Sequence, residues 1–321
     1  VGAWMWGLDE VRRVRNGTAS WQEIRVAAVQ PNIPQLKKWT SEFSAFIYDQ
    51  LEEQTRLAAL GHPAVMVWPE TAVPGVLSAE PEVLEFVHTL TDLGSPIVAG
   101  SLEDSFETGG DYYNSSFLVE GRDKPLQRYR KQHLVPFGEY LPFSRQAAWI
   151  ARLAPLGFNC SAGDGPGVMR LSESGTRFAV LICFEDIMAY LSRKAIREGA
   201  GFLVNQTNDA WFDDTAASRQ HMSHCVLRCV ENRVSAVRSA NTGVSCSITP
   251  WGEIADLLED GKGGVQVEGF LTAGVRIRPA DYPMTPYTRY GDWTCGIPCG
   301  IAVLSVFVLV LYDRKRKYLA A

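Results

Sequence analysis

Between residues 24 and 275, short runs of β-branched and other apolar residues alternate with stretches whose apolar positions recur every three or four residues. The short runs predict strands at 24–30, 64–68, 96–101, 115–120, 178–183, 202–205, 236–239 and 245–249. The periodic stretches predict helices at 41–60, 81–93, 188–198 and 217–233. In the first of these, Phe43, Ile47 and Leu51 fall four apart on one face, and Thr40 or Ser41 stands where an N-cap is wanted. Strands alternating with amphipathic helices argue for an α/β domain with helices covering sheets. Segments 107–111, 161–167 and 260–264 read as loops, and no internal repeat or low-complexity tract interrupts the pattern.

A different pattern closes the chain. Residues 295–312 are uncharged and contain IAVLSVFVLVL; as a helix they would span roughly 27 Å at about 1.5 Å per residue, close to the thickness of a bilayer core. Trp293 and Tyr312 stand at the ends like interfacial anchors, and Arg314, Lys315, Arg316 and Lys317 follow at once, the charge asymmetry of a cytoplasmic flank. A transmembrane helix over 291–313 is therefore expected, with a cytoplasmic tail at 314–321 and the α/β domain, 24–290, on the outer face. A buried terminal helix is the other reading, since Gly296, Pro298 and Gly300 weaken the first turns. Trp4, Met5, Trp6 and Leu8 look like the end of another apolar segment, so residues 1–23 are expected to be a linker from a membrane segment.

Composition narrows the function classes. A formal net charge of −5 with scattered basic residues offers no continuous cationic face, which argues against a nucleic-acid partner. Seven cysteines without a CxxC pair imply neither a complete disulfide framework nor a zinc ribbon, and leave at least one thiol free. No cofactor motif is present.

Three local features carry possible chemistry. The run FAVLICFED puts Cys183 where a buried strand should turn into the next helix, at the sheet end where α/β active sites gather, although a cysteine there is often an inert small hydrophobe. In MVWPET, Pro69 ends ladder pairing and leaves Glu70 at a turn, as a reactive acid or a solvated loop residue. In RYRKQHLVPFGEYLP, Lys131 precedes an apolar stretch and Glu139 follows eight residues later.

In this order, WPE, YRKxHLVPFGEY and ICFED resemble the Glu–Lys–Cys constellation of the nitrilase (carbon–nitrogen hydrolase) superfamily. NQTNDAWF, RCVENR, RSANTG and TPWGE extend the likeness over residues 24–255. HLVPFGEYLP, TNDAWF and TPYTRYGDW look like the apolipoprotein N-acyltransferases within that superfamily rather than a soluble amidase. The resemblance implies a four-layer αββα sandwich with a C-terminal transmembrane helix, facing the periplasm of a bacterial inner membrane. It implies transfer of an acyl chain from phospholipid to the N-terminal cysteine of a diacylglyceryl apolipoprotein, with no cofactor. It makes Glu70, Lys131 and Cys183 catalytic, with Lys131 and the backbone N–H of Phe184 as oxyanion donors. It also makes Glu139 the partner that orients Lys131, Glu185 a residue important for activity, and Trp39 a tryptophan at the lipid-binding mouth. Glu185 could equally cap the following helix, and Trp39 could be an ordinary loop aromatic.

A competing metal reading of His221, His224, Cys225 and Cys229 lacks a second ligand pair elsewhere in the chain. The sequence departs from the family at Phe184, where tyrosine is common, and at Asp213 and Asp214, where glycine is usual. It also lacks the membrane helices that precede this domain in the family. A membrane-anchored amidase or nitrilase using the same triad, or a silent scaffold, remains an alternative.

Overall fold

The computed structural model describes residues 2–38, 40–105, 111–142, 159–212 and 215–319. Two six-stranded sheets face each other. The first, in the order β12-β1-β2-β3-β4-β5, comprises β1 (Glu23–Gln30), β2 (Val65–Val67), β3 (Ile97–Ser105), β4 (Asp111–Val119), β5 (Gln127–Arg130) and β12 (Gly269–Arg276). The second, β11-β10-β9-β8-β7-β6, comprises β6 (Val168–Arg170), β7 (Arg177–Ile182), β8 (Phe202–Thr207), β9 (Ser235–Ala240), β10 (Cys246–Ile248) and β11 (Ile254–Leu257). In each sheet the central three strands, β1-β2-β3 and β7-β8-β9, run parallel and the outer pairings are antiparallel.

Alternation along the strands builds the layers. In β1, Val26 and Ala28 join the core shared with the second sheet, through Val180, Val204 and Val237, whereas Ala27 and Val29 pack with Ile47, Leu51, Val83 and Leu90. The latter four lie on α3 (Ser44–Ala59) and α4 (Pro81–Thr91), which cover the first sheet. Leu191, Ile196, Met222 and Cys225, on α5 (Ala189–Arg197) and α6 (Ala217–Asn232), cover the second. The central strands are buried on both faces, as parallel strands under helices must be. The sheets are also tied across the interior: Gln206 Nε2 donates to the main-chain oxygens of Trp68 (2.6 Å) and Val98 (3.1 Å), and Ser239 Oγ to those of Val29 (2.9 Å) and Val67 (3.1 Å). The αββα sandwich expected from the resemblance is the observed fold.

Several expectations need correcting. β5, β6, β11 and β12 are strands that the apolar pattern did not predict, and Asp111, expected in a loop, begins β4. The first long helix opens on a 3-10 turn, Ser41–Phe43, with Phe43 rather than Thr40 or Ser41 at its N-cap. The region expected to be a linker holds α1 (Gly2–Gly17), docked through buried Val14 and an ion pair of 3.2 Å from Glu10 to Arg233. The short helices are α2 (Gln35–Lys38) and α7 (Pro286–Tyr290).

The terminal segment is helical, α8 (Trp293–Leu319), but the expected membrane span is not supported: among the described residues no helix is long and apolar enough to cross a membrane. The uncharged stretch of α8 carries IAVLSVFVLVL, residues 301–311. Its large apolar side chains, from Ile297 to Tyr312, are nevertheless 47% to 70% exposed.

Candidate active site

Glu70, Lys131 and Cys183 follow strands β2, β5 and β7, so the two-sheet sandwich brings together turns that are far apart in sequence. Behind β2, the chain bends through Pro69 and Glu70 to Thr71, which adopts φ 44°. This bend lies directly on β3 at Gly100, where a Cβ would stand 2.3 Å from the Pro69 oxygen and 2.7 Å from the Thr71 nitrogen. Only a glycine admits so close an approach, and it leaves Glu70 buried and aimed inward.

Cys183 also has a left-handed backbone, φ 53°, where β7 breaks into the 3-10 turn Cys183–Asp186. A non-glycine residue there stores about 1–3 kcal/mol. Asn205 on β8 holds the turn by donating to the main-chain oxygens of Leu181 (3.2 Å) and Cys183 (3.3 Å). The sulfur lies within electrostatic reach of Glu70, Lys131 and Asp209, with the Thr207 hydroxyl also favouring its thiolate. Burial, and then the Glu70 carboxylate, push the thiol far up, with Lys131 opposing them. The resting residue is therefore a thiol, and a thiol reacts as a nucleophile only when a base takes its proton.

Lys131 is 1% exposed. Its ammonium donates to Glu139 Oε1 at 2.8 Å and to Glu70 Oε1 at 3.3 Å. Asn114 Nδ2 donates to the same two oxygens, at 2.8 Å each, and the second Glu139 oxygen accepts from the Val135 N–H at 2.8 Å. Burial works against the lysine's charge, but Glu70, Cys183 and Glu139 outweigh it and hold Lys131 well above its ordinary pKa. Glu70 and Glu139 thus share one cation and one amide.

Glu185 is fully buried and does not cap α5. It accepts from the Tyr129 hydroxyl (2.8 and 2.9 Å) and from the N–H groups of Gln132 (2.7 Å), His133 (3.2 Å) and Ile182 (2.8 Å). Burial raises its pKa, opposed by those donors and Lys131. The carboxylate clamps the Cys183 turn of one sheet to the segment following Lys131 on the other. Phe184 stacks on His221, with centroids 5.0 Å apart. Trp39, Asp213 and Asp214 lie outside the described residues.

The site also contains groups that sequence patterns did not assign to it. Beneath the Cys183 turn, Arg238 on β9 pairs with Asp186 (3.0 Å) and Asp209 (2.9 Å) and donates to Asn205. His221 lies 2.9 Å from Asp209 and 3.1 Å from Asp186, the second contact being ionic rather than an aligned hydrogen bond. Burial and Arg238 work to lower the imidazole's pKa, but the two aspartates overcome both and hold it up at about 9. Two cations therefore face two carboxylates. His221 is spent on this cluster, and among the described residues no group of side chains suits a metal. A charged residue inside the apolar run SAVRSA was the available signal. Asn114, inside a strand of ordinary polarity, gave none.

Residues 25–270 match the carbon–nitrogen hydrolase family. The chain is 35% identical over 305 residues to the apolipoprotein N-acyltransferase of Geobacter metallireducens, covering 91% of this chain and 54% of that one. It is 32% identical over 330 residues to that of Brucella suis, covering 98% and 58%. The chain thus spans a little over half the length of the curated relatives it matches. Among solved structures it is similar to an amidase from Nesterenkonia sp. (TM-score 0.57, 17% identity, 84% of this chain and 96% of that one). It is also similar to a Saccharomyces cerevisiae member of branch 10 of the nitrilase superfamily (TM-score 0.55, 19% identity, 79% and 90%).

Proposed function

The chain belongs to the carbon–nitrogen hydrolase family, and from that premise we propose that it transfers a fatty acyl chain from phospholipid to the N-terminal amine of a diacylglyceryl apolipoprotein, through a thioester on Cys183. The observation that carries this reading is the similarity to apolipoprotein N-acyltransferases along nearly the whole chain. The cluster of Glu70, Lys131 and Glu139 beside a buried thiol supports covalent acyl chemistry.

In the first half-reaction the Cys183 sulfur attacks the ester carbonyl while Glu70 takes the thiol proton. The carbonyl oxygen becomes anionic and is stabilised by Lys131 and the Phe184 N–H, Lys131 being oriented by Glu139. Collapse breaks the ester C–O bond, and Glu70 returns its proton to the departing lysophospholipid oxygen. In the second, the acceptor amine attacks the thioester, Glu70 takes its proton, and collapse expels the sulfur, which regains that proton. Trp39 is assigned to the acyl-chain mouth, Glu185 to holding the two catalytic turns together. No cofactor enters either half.

Both substrates are lipids, so the reading places the domain on the outer face of a bacterial inner membrane, held by α8. The exposure of α8 along Ile297–Tyr312, and of Trp4, Met5 and Trp6 on α1, supports an apolar environment for both helices. Under this reading 24–290 is the catalytic domain, 1–23 leads from the membrane, 291–313 enters it and 314–321 is cytoplasmic.

The test is to incubate the protein in phospholipid vesicles carrying a labelled acyl chain, without acceptor. Hydroxylamine-labile label should accumulate on the protein and vanish in Cys183→Ala. Adding a diacylglyceryl peptide should move the label to its amine. Label that persists in Cys183→Ala overturns the thioester, and label recovered only as free fatty acid identifies a hydrolase instead.

A further inference from the structure

One buried cation takes no part in the chemistry described so far. Lys38 ends α2 at 5% exposure, and its ammonium donates to the main-chain oxygen of Glu70 at 2.9 Å. Its place is held from the second sheet. Asn241 accepts from the Ile33 N–H (3.1 Å) and donates to the Ile33 oxygen (2.8 Å), and Asn208 donates to Gln35 Oε1 at 2.8 Å. Burying an ammonium costs several kcal/mol unless opposite charge compensates it, and methionine would fill similar space without that cost. Burial lowers Lys38 to about 8, while Glu70 and Cys183 support its charge. Two carboxylates, Glu70 and Glu139, meet only one ammonium in direct side-chain contact, that of Lys131. Lys38 supplies the second positive charge.

We propose that Lys38 is a positioning residue of the reaction centre, which fixes the Glu70 turn through its main-chain oxygen and whose cation offsets the negative charge shared by Glu70 and the Cys183 sulfur. When a proton passes from Cys183 to Glu70, negative charge moves from carboxylate to sulfur, and Lys38 interacts with both. Among the described residues, Glu70, Lys131, Asp209 and Thr207 act most strongly on that sulfur, and Glu70 and Cys183 are among the groups that act on Lys38. Without Lys38 the pair Glu70 and Glu139 carries one more negative charge than Lys131 offsets, and losing the thiol proton becomes harder.

The inference rests on Cys183 being the nucleophile, and the experiment separates the two. Alkylation of Cys183 by iodoacetamide is followed by peptide mass spectrometry across pH in the full chain, with buried Cys225 and Cys229 as internal references. Lys38→Gln keeps a donor for the Glu70 oxygen and removes the charge. Its reaction should be roughly tenfold slower at a given pH below about 8, where Lys38 carries its charge, and approach the parent's rate above that. Lys38→Arg, which keeps the charge, should restore the profile, whereas a merely structural role would give no such recovery. An unchanged profile in folded Lys38→Gln overturns the proposal. If Lys38→Gln does not fold, a Lys38→Arg reaction roughly tenfold slower than the parent's below about pH 8 overturns it. Cys183 reacting no faster than Cys225 in the unaltered protein would instead defeat the nucleophile reading itself.

Discussion

Lys131 can keep its charge in the interior only because Glu70 and Glu139 accept it there, at 3.3 and 2.8 Å. Lys131→Met preserves most of the volume and removes the cation, leaving two carboxylates side by side. Acyl transfer should fall by at least about a hundredfold, as when an oxyanion donor is lost, while the fold persists with a lowered melting temperature. Steady-state transfer and a thermal melt check both, and near-parental turnover would remove Lys131 from the mechanism. Gly100 acts on the same site through the backbone. Gly100→Ala drives a methyl into the Pro69–Thr71 bend, so urea unfolding should show a loss of about 1–3 kcal/mol, with activity falling as Glu70 moves. At this scale WPE, YRK and ICFED were legible in the sequence, because each surrounds its residue with local turn or strand signals. Asn114 and Lys38 were not, because each acquires its meaning from a partner 44 or 32 residues away.

The elements around Cys183 are held by charge as much as by apolar packing. Asp186 belongs to the Cys183 turn, His221 to α6 and Arg238 to β9, so their buried cluster joins three elements beneath Cys183. His221 has a folded pKa of about 9 against an ordinary 6.5. Its stabilising contribution is therefore complete below about pH 6.5 and lost as pH rises through about 9. At full extent this is on the order of 3 kcal/mol. Urea unfolding at intervals across that window should show the parent losing this stability relative to His221→Gln, which already lacks it, with the titration of Lys38 common to both and cancelling in the difference. Equal slopes in both proteins would show that the imidazole is not charged in the fold. The helical spacing of 217–233 was legible. Which way His221 faces was not: spacing along one helix suggested metal ligands, and the partners came from two other elements. β6 and β11, edge strands of three and four residues with mostly uncovered side chains, were missed because they lack the apolar run that marked the equally short, buried β2 and β10.

Across the whole molecule, α8 is the element least explained by the sandwich, since its described apolar side chains from Ile297 to Tyr312 are largely exposed. Removing residues 293–321 should leave the two-sheet domain folded, with a melting temperature changed by little, and shift the protein from the detergent phase to the aqueous phase on phase separation. A truncated protein that stays wholly in the detergent phase would show that α8 is not the anchor. The alternation of strand and helix, the buried central strands and the three turns bearing Glu70, Lys131 and Cys183 were determined by the sequence itself, because they depend on residues within a few positions of one another. Only the tertiary structure decided that Glu185 would clamp Ile182 to Gln132 and His133, that Gln206 and Ser239 would stitch one sheet to the other, and that Lys38 would lie under Glu70. Those contacts exist because two sheets pack face to face, and no periodicity along a single chain encodes which side chains such a packing will bring within about 3 Å.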